Sequence, residues 1–88
     1  MLKVVHVIWE DPCFAQSGWL TQDEFTAFVK SGLPQSDSVG ILAYECDDFI
    51  VLLQSIGDNQ VADSVKINRS AIRSINELGD VPLSLAAV

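Results

Sequence analysis

Few side chains in this sequence are of kinds that do chemistry, and their spacing narrows what that chemistry is. Three of the five basic residues, Lys66, Arg69 and Arg73, lie within eight positions. Such a cluster fits a phosphate contact, because phosphate is met by Lys and Arg that displace condensed counterions; it equally fits a solvated face. Trp9, Phe14 and Trp19 gather around one segment. Aromatics placed there can stack a base or anchor a partner, or they can cap the open end of a small barrel whose interior is filled with side chains. The adjacent carboxylates Glu10-Asp11 and Asp47-Asp48 fall at expected strand ends, where turn chemistry accounts for aspartate before any metal does. The single histidine, His6, sits in an apolar run and reads as a packed side chain, since a catalytic site needs several groups in mutual geometry. Without a second histidine or a Cys-His pair at ligand spacing a zinc site is not expected. Nor is there a glycine-rich phosphate loop or a GxSxG nucleophile turn. The chain therefore reads as non-catalytic, with neither metal nor cofactor.

These residues must be held by a small body. At 88 residues and 49% hydrophobic composition, residues 1–88 read as one domain with enough apolar material for a core, near the lower size limit for folding without disulfides or metal. So small a domain readily completes its burial against a copy of itself, and a homo-oligomer is expected. The net charge of −7 argues against a general polyanion binder, leaves room for a local basic spot, and by itself keeps an apolar domain soluble. Cys13 and Cys46 have no CxxC partner and read as free thiols of a reducing compartment. No secretory signal pattern opens the chain, and no run approaches the ~20 apolar residues of a membrane span. A cytoplasmic protein without membrane contact is expected.

The apolar pattern lays out the elements. "LKVVHVIWE" reads as a first strand closed by Asp11-Pro12, with Val5, Val7 and Trp9 on one face and Leu2, Val4, His6 and Ile8 on the other. Both faces being apolar, this strand is central or is covered on its second side. After a loop with Ser17-Gly18 as its turn signal, Thr21 and Glu24 form a capping box, Leu20 and Phe25 a hydrophobic staple, and Phe25, Phe28 and Val29 an apolar stripe. Asp23 and Glu24 suit the positive end of this helix and Lys30 the negative end. Gly32 is expected as a left-handed cap with Leu33 touching Phe28, and Pro34 as a stop, so one short helix spans about residues 21–31. Residues 39–46 and 49–56 read as a hairpin turning at Asp47-Asp48, and residues 61–68 as a more polar strand after a "GDNQ" turn. Residues 69–78 fit either a helix, through Ile72, Ile75 and Leu78, or a 3₁₀ step at Arg69–Ala71 followed by a closing strand. The apolar tail, 79–88, either packs on a neighbour or frays. Short strands, tight turns and one helix between strands 1 and 2 point to a mostly β, SH3-like barrel of about five strands.

The order "VGILAYECDDFIVLLQS … VKINRSAIRSI" resembles the Sm-like family, especially its Hfq-type branch. Gly40, Asp47, Phe49 and the run Ile50–Leu53 match that family's bent-hairpin motif, and Arg69, Ala71 and Ile72 its second motif; the match spans residues 39–76. The resemblance implies a ring whose pore is lined by the two turns, with Phe49 stacking on RNA bases and Arg69 as the basic contact. Asp48 stands where that family has an amide, Asn68 where an aromatic often sits, and Ser70 where the Hfq-type branch has histidine. Asp47 and Asp48 would repel phosphate unless Arg69 and Lys66 offset them. The single helix also falls after the first strand, whereas that family carries it before. A second resemblance, through Val7, Trp9, Asp11, Trp19 and Ser38-Val39-Gly40, is to small phage and prophage proteins.

Two functions follow as expectations. One is an Sm-like, homo-oligomeric ring binding single-stranded RNA or a nucleotide through Phe49, Asp48, Lys66, Asn68, Arg69 and Arg73, with Trp9, Phe14 and Trp19 as further aromatic contacts. The other is an acidic, phage-encoded accessory protein that binds a host protein.

Overall fold

The computed structural model describes residues 1–13, 15–83 and 85. Phe14 and most of the 84–88 tail, both named above, lie outside the described residues. Strand β1 (Leu2–Glu10), helix α1 (Gln22–Lys30), strands β2 (Gln35–Glu45), β3 (Phe49–Leu53), β4 (Ser55–Gly57), β5 (Gln60–Ala62) and β6 (Val65–Asn68), a 3₁₀ turn (Arg69–Ala71) and strand β7 (Ile72–Val81) follow in order. The fold is mostly β with one α-helix, and that helix lies between the first two strands as expected. Five strands form an antiparallel sheet in the order β6-β3-β2-β1-β7, and β4 and β5 form a separate two-stranded sheet. Residues 69–78 thus resolve into the 3₁₀ step and a strand.

A closed barrel does not form. β6 and β7 are the two edges of the sheet and do not pair with each other. Yet only Arg69–Ala71 separates them. Five strands set about 4.8 Å apart span roughly 19 Å, whereas that link reaches at most about 14 Å. The sheet must therefore curl strongly while staying open.

Alternation builds the core on the inner side of that curl. Val5, Val7, Ile50, Leu52 and Ile67 are almost fully buried, with Trp9, Leu42, Val65, Ile72 and Ile75 packed around them. Gly40 pairs with Val5 and lets β2 and β3 approach closely. A Cβ there would lie 3.0 Å from the Leu53 carbonyl oxygen and 3.2 Å from the Leu52 Cβ. The outer side of β1 (Leu2, Val4, His6 and Ile8) is only half-buried.

The β1–β2 hairpin opens into an arm. The strands pair from Lys3 with Leu42 to Glu10 with Gln35, and the Asp11 amide then donates to the Pro34 carbonyl at 3.0 Å. The described residues between that bond's two ends, including α1, project beyond it. The helix starts as its sequence dictates. The Thr21 hydroxyl accepts from the Glu24 amide at 3.1 Å and the Glu24 carboxylate from the Thr21 amide at 3.3 Å, a complete capping box. Its end differs from the expected one. Gly32 takes no left-handed conformation, for the described positive-φ glycine is Gly18, at φ 90. Ser31 leaves the helix extended, at φ −68 and ψ 147. The chain has to rejoin β2 at Gln35, and Pro34 biases the residue before it toward extended backbone. No residue of α1 is buried. The molecule measures 53 × 23 × 21 Å with a radius of gyration of 16.9 Å, against about 12–13 Å for a compact domain of this length.

Candidate binding groove

The two turns singled out in the sequence meet. The first closes β2 onto β3 through the Cys46 amide, which donates to the Phe49 carbonyl at 2.9 Å. The 3₁₀ turn docks beside it: the Arg69 amide donates to the Asp48 carbonyl at 2.9 Å and Arg69 Nε to the Cys46 carbonyl at 2.8 Å. Arg69 also lies 3.6 Å from the Glu45 carboxylate. Its guanidinium is thus a clamp on the β2–β3 turn. Asp48 takes part through its carbonyl.

Phe49, Val51, Lys66 and Asn68 share the outer face, because Phe49 pairs with Asn68 and Val51 with Lys66 across β3 and β6. Diagonal neighbours on one face come within reach of long side chains, and Lys66 Nζ sits 4.6 Å from the centroid of the Phe49 ring. Tyr44 completes this cluster, its ring 5.9 Å from that of Phe49. Tyr44 was not legible as a site residue. In strict alternation it would share the core face with Gly40 and Leu42. An irregularity between Leu42 and Tyr44 places it opposite Val51 instead, and such a bulge shifts the side chains that follow it.

From this cluster a groove of about 810 Å³ runs between the outer face of β3 and the β4–β5 hairpin. Val51, Leu53, Ile56 and Val61 form its apolar lining, Asn59, Gln60 and Ser64 add polar groups, and Leu85 reaches it from the tail. The hairpin wall was hidden in the sequence, where "FIVLLQSI" reads as one strand. The chain breaks at Gln54. Its side-chain amide donates to the Val39 carbonyl at 2.6 Å and its backbone amide to the Ala62 carbonyl at 3.3 Å, so the next residues leave the main sheet. Asn59 and Asp63, both at φ 56, make the turns on either side of β5; short polar residues tolerate that conformation.

The remaining sequence candidates are not brought to the groove. Arg73 holds Glu10 through two bonds of 2.9 and 2.8 Å and donates to the Ser70 carbonyl at 3.3 Å. That guanidinium holds the Glu10 carboxyl below its usual range, and the carboxylate raises Arg73. Trp9 packs on the core and donates its indole N–H to the Ser38 hydroxyl at 3.0 Å, while Trp19 stands fully exposed on the arm. His6 Nε2 lies 2.8 Å from the Asp37 carboxylate. Asp11 accepts from the Cys13 amide at 3.1 Å, and both cysteines are free. Among the described residues no cluster of three or more His, Cys, Asp or Glu could hold a metal ion, and no helix is long and apolar enough to cross a membrane.

Of the three clustered basic residues, only Lys66 has no carboxylate partner among the described residues. Among the described residues it is also the only charged side chain lining the groove. Such a surface can hold an apolar body with one adjacent negative charge. It offers little to a chain of phosphates, which needs several free cations. Comparison with protein-family models, curated proteins and solved structures finds no match to this chain.

Proposed function

We propose that this chain is a non-catalytic binding protein, built as a small SH3-like or Sm-like barrel left open, whose groove takes an apolar helical segment of a protein partner. The curled sheet, the 3₁₀ link and the close approach of β2 to β3 at Gly40 support the barrel-type kinship. The observation that carries the binding reading is the groove itself, with aliphatic and aromatic lining and Lys66 as its one described charge. Concave, mostly apolar sites with a few placed polar groups are where proteins hold ligands, and amphipathic helices lay their apolar faces into such grooves. Of the partners suggested by the sequence, a protein, whether of a host cell or a second copy, suits this lining better than RNA.

A second reading keeps single-stranded RNA or a nucleotide as ligand. It is favoured by one observation, the Phe49 ring with Tyr44 beside it and Lys66 above it, next to the two joined turns. A base stacking there would gain about 1–3 kcal/mol, but Arg69 and Arg73 are already engaged. One titration series separates the readings. An anionic apolar dye is expected to brighten on the wild type and to lose the groove's share of that response in Val61→Asp, leaving only what the arm's apolar surface takes up, with short labelled RNAs showing no binding at low salt. A dye response indifferent to Val61→Asp would sink the groove reading. RNA binding that weakens with salt and disappears in Phe49→Ala would establish the second.

A further inference from the structure

The arm carries what the groove lacks. Phe25 is 54% exposed, Val29 63%, Leu33 48% and Trp19 completely, and α1 packs substantially on no strand. With Phe28 half-buried beside them, Phe25, Val29 and Leu33 line an open concavity of about 300 Å³. Contiguous exposed apolar surface of this sort marks an interaction site, and tryptophan is a preferred anchor in such sites. No described arm residue lines the groove, whose described walls all come from residues 43–66 and Leu85. Each copy therefore offers one open apolar stripe and one open apolar groove.

Resting on the groove as a helix-binding site, we propose that its occupant is α1 of a second copy of this chain. Phe25 and Val29 stand at i and i+4, an anchor spacing of a helix laid in a groove. Charge fits as well. Glu24 lies one turn before Phe28 on the flank of the stripe, within reach of a cation beside it. Lys66 is the single described cation of the groove and lacks a carboxylate partner among the described residues. Asp23 and Lys30 fall on the opposite side of the helix and stay in solvent. The contact is heterologous, with the arm of one copy in the groove of the next, so it propagates until a ring closes or a filament grows. A nine-residue helix with one added tryptophan is small against the ~800 Å² per partner of a standard interface. Self-association is therefore concentration-dependent, with monomers at high dilution.

Complementation tests this directly. Phe25→Asp/Val29→Asp destroys the stripe and Val61→Asp the groove; all three positions are more than half exposed, so the fold of each variant should hold, checked by circular dichroism and melting temperature. In sedimentation velocity at up to about 1 mM, wild-type mass is expected to grow with concentration and each variant alone to remain monomeric. An equimolar mixture of the two variants should give a heterodimer and nothing larger, because it contains one intact arm and one intact groove. A wild type monomeric throughout, an arm variant that still assembles, or a mixture that stays monomeric would each overturn the proposal. Assembly lost in Val61→Asp but kept in the arm variant would retain the groove as a protein-binding site while removing α1 as its occupant. Assembly indifferent to both would remove both.

Discussion

Arg69 and Arg73 show how one residue type can be spent on structure where its position suggests a ligand. Both lie in the basic cluster that the sequence offers to phosphate, yet Arg69 clamps two backbone turns and Arg73 forks onto Glu10. A planar guanidinium pairs a carboxylate bidentately, and Glu10 ends β1 while Arg73 lies in β7, so the pair ties two neighbouring strands. The Glu10 carboxyl is held below its ordinary 4.5 first by the hydrogen bonds from Arg73 and then by its charge. A depressed carboxyl contributes stability that is present above its unfolded pKa and is lost as pH falls through the folded one. Glu10→Gln is therefore expected to melt slightly below the wild type at pH 7, with the gap closing below pH 4.5. Exposed pairs contribute little, so the direction of the gap and the pH window in which it closes are the readout, and a gap that persists unchanged in acid would contradict it.

At the scale of elements, α1 was the most legible part of the chain because its signals are local. Thr21, Glu24, Asp23 and Lys30 act within one or two turns, and all fall where the helix begins or ends. Its independence from the sheet carries a prediction. Thr21→Ala should cost the helix about 0.5–2 kcal/mol, visible as lost helical signal and faster amide exchange over residues 22–30. The melting of the sheet should barely move, since no residue of α1 is buried. A large fall in the overall melting temperature would show that the arm packs on the core. The first strand and the Asp47-Asp48 turn were legible for the same local reason, whereas residues 69–78 fitted a helix as well as the 3₁₀ step and strand that form. Other features were not legible: the strand expected at 39–46 begins already at Gln35, and the strand expected at 61–68 breaks between Ala62 and Val65. The irregularity before Tyr44 depends on pairing with β3, the departure of β4 at Gln54 on bonds to Val39 and Ala62, and the extended exit at Ser31 on where β2 begins. Each is decided by residues distant in sequence, so periodicity cannot report it. Half of the groove therefore went unread: Phe49 and Lys66 were found, while Tyr44, Ile56 and Val61 were not.

For the whole molecule, curl and projection matter more than core size. The buried cluster is small, the sheet edges remain unpaired, and an apolar arm stands away from the body, so the monomer leaves unusual amounts of apolar surface open to a partner. The net charge of −7 gives weight to the few cations that have no carboxylate partner among the described residues, among them Lys66 in the groove. These shapes together are what the proposed helix-binding groove, with α1 of a neighbour as its occupant, rests on. The most direct measurement places a nitroxide on Ala27→Cys, on the polar side of α1, with Cys13 and Cys46 changed to serine. This unlabelled-isotope protein is mixed with ¹⁵N-labelled, spin-free chains. The account predicts intermolecular broadening that is strongest for amides around Leu53, Val61 and Lys66 and falls off across the sheet toward β1 and β7. Broadening confined to the arm or to the edge strands, or none at concentrations where the protein associates, would contradict it.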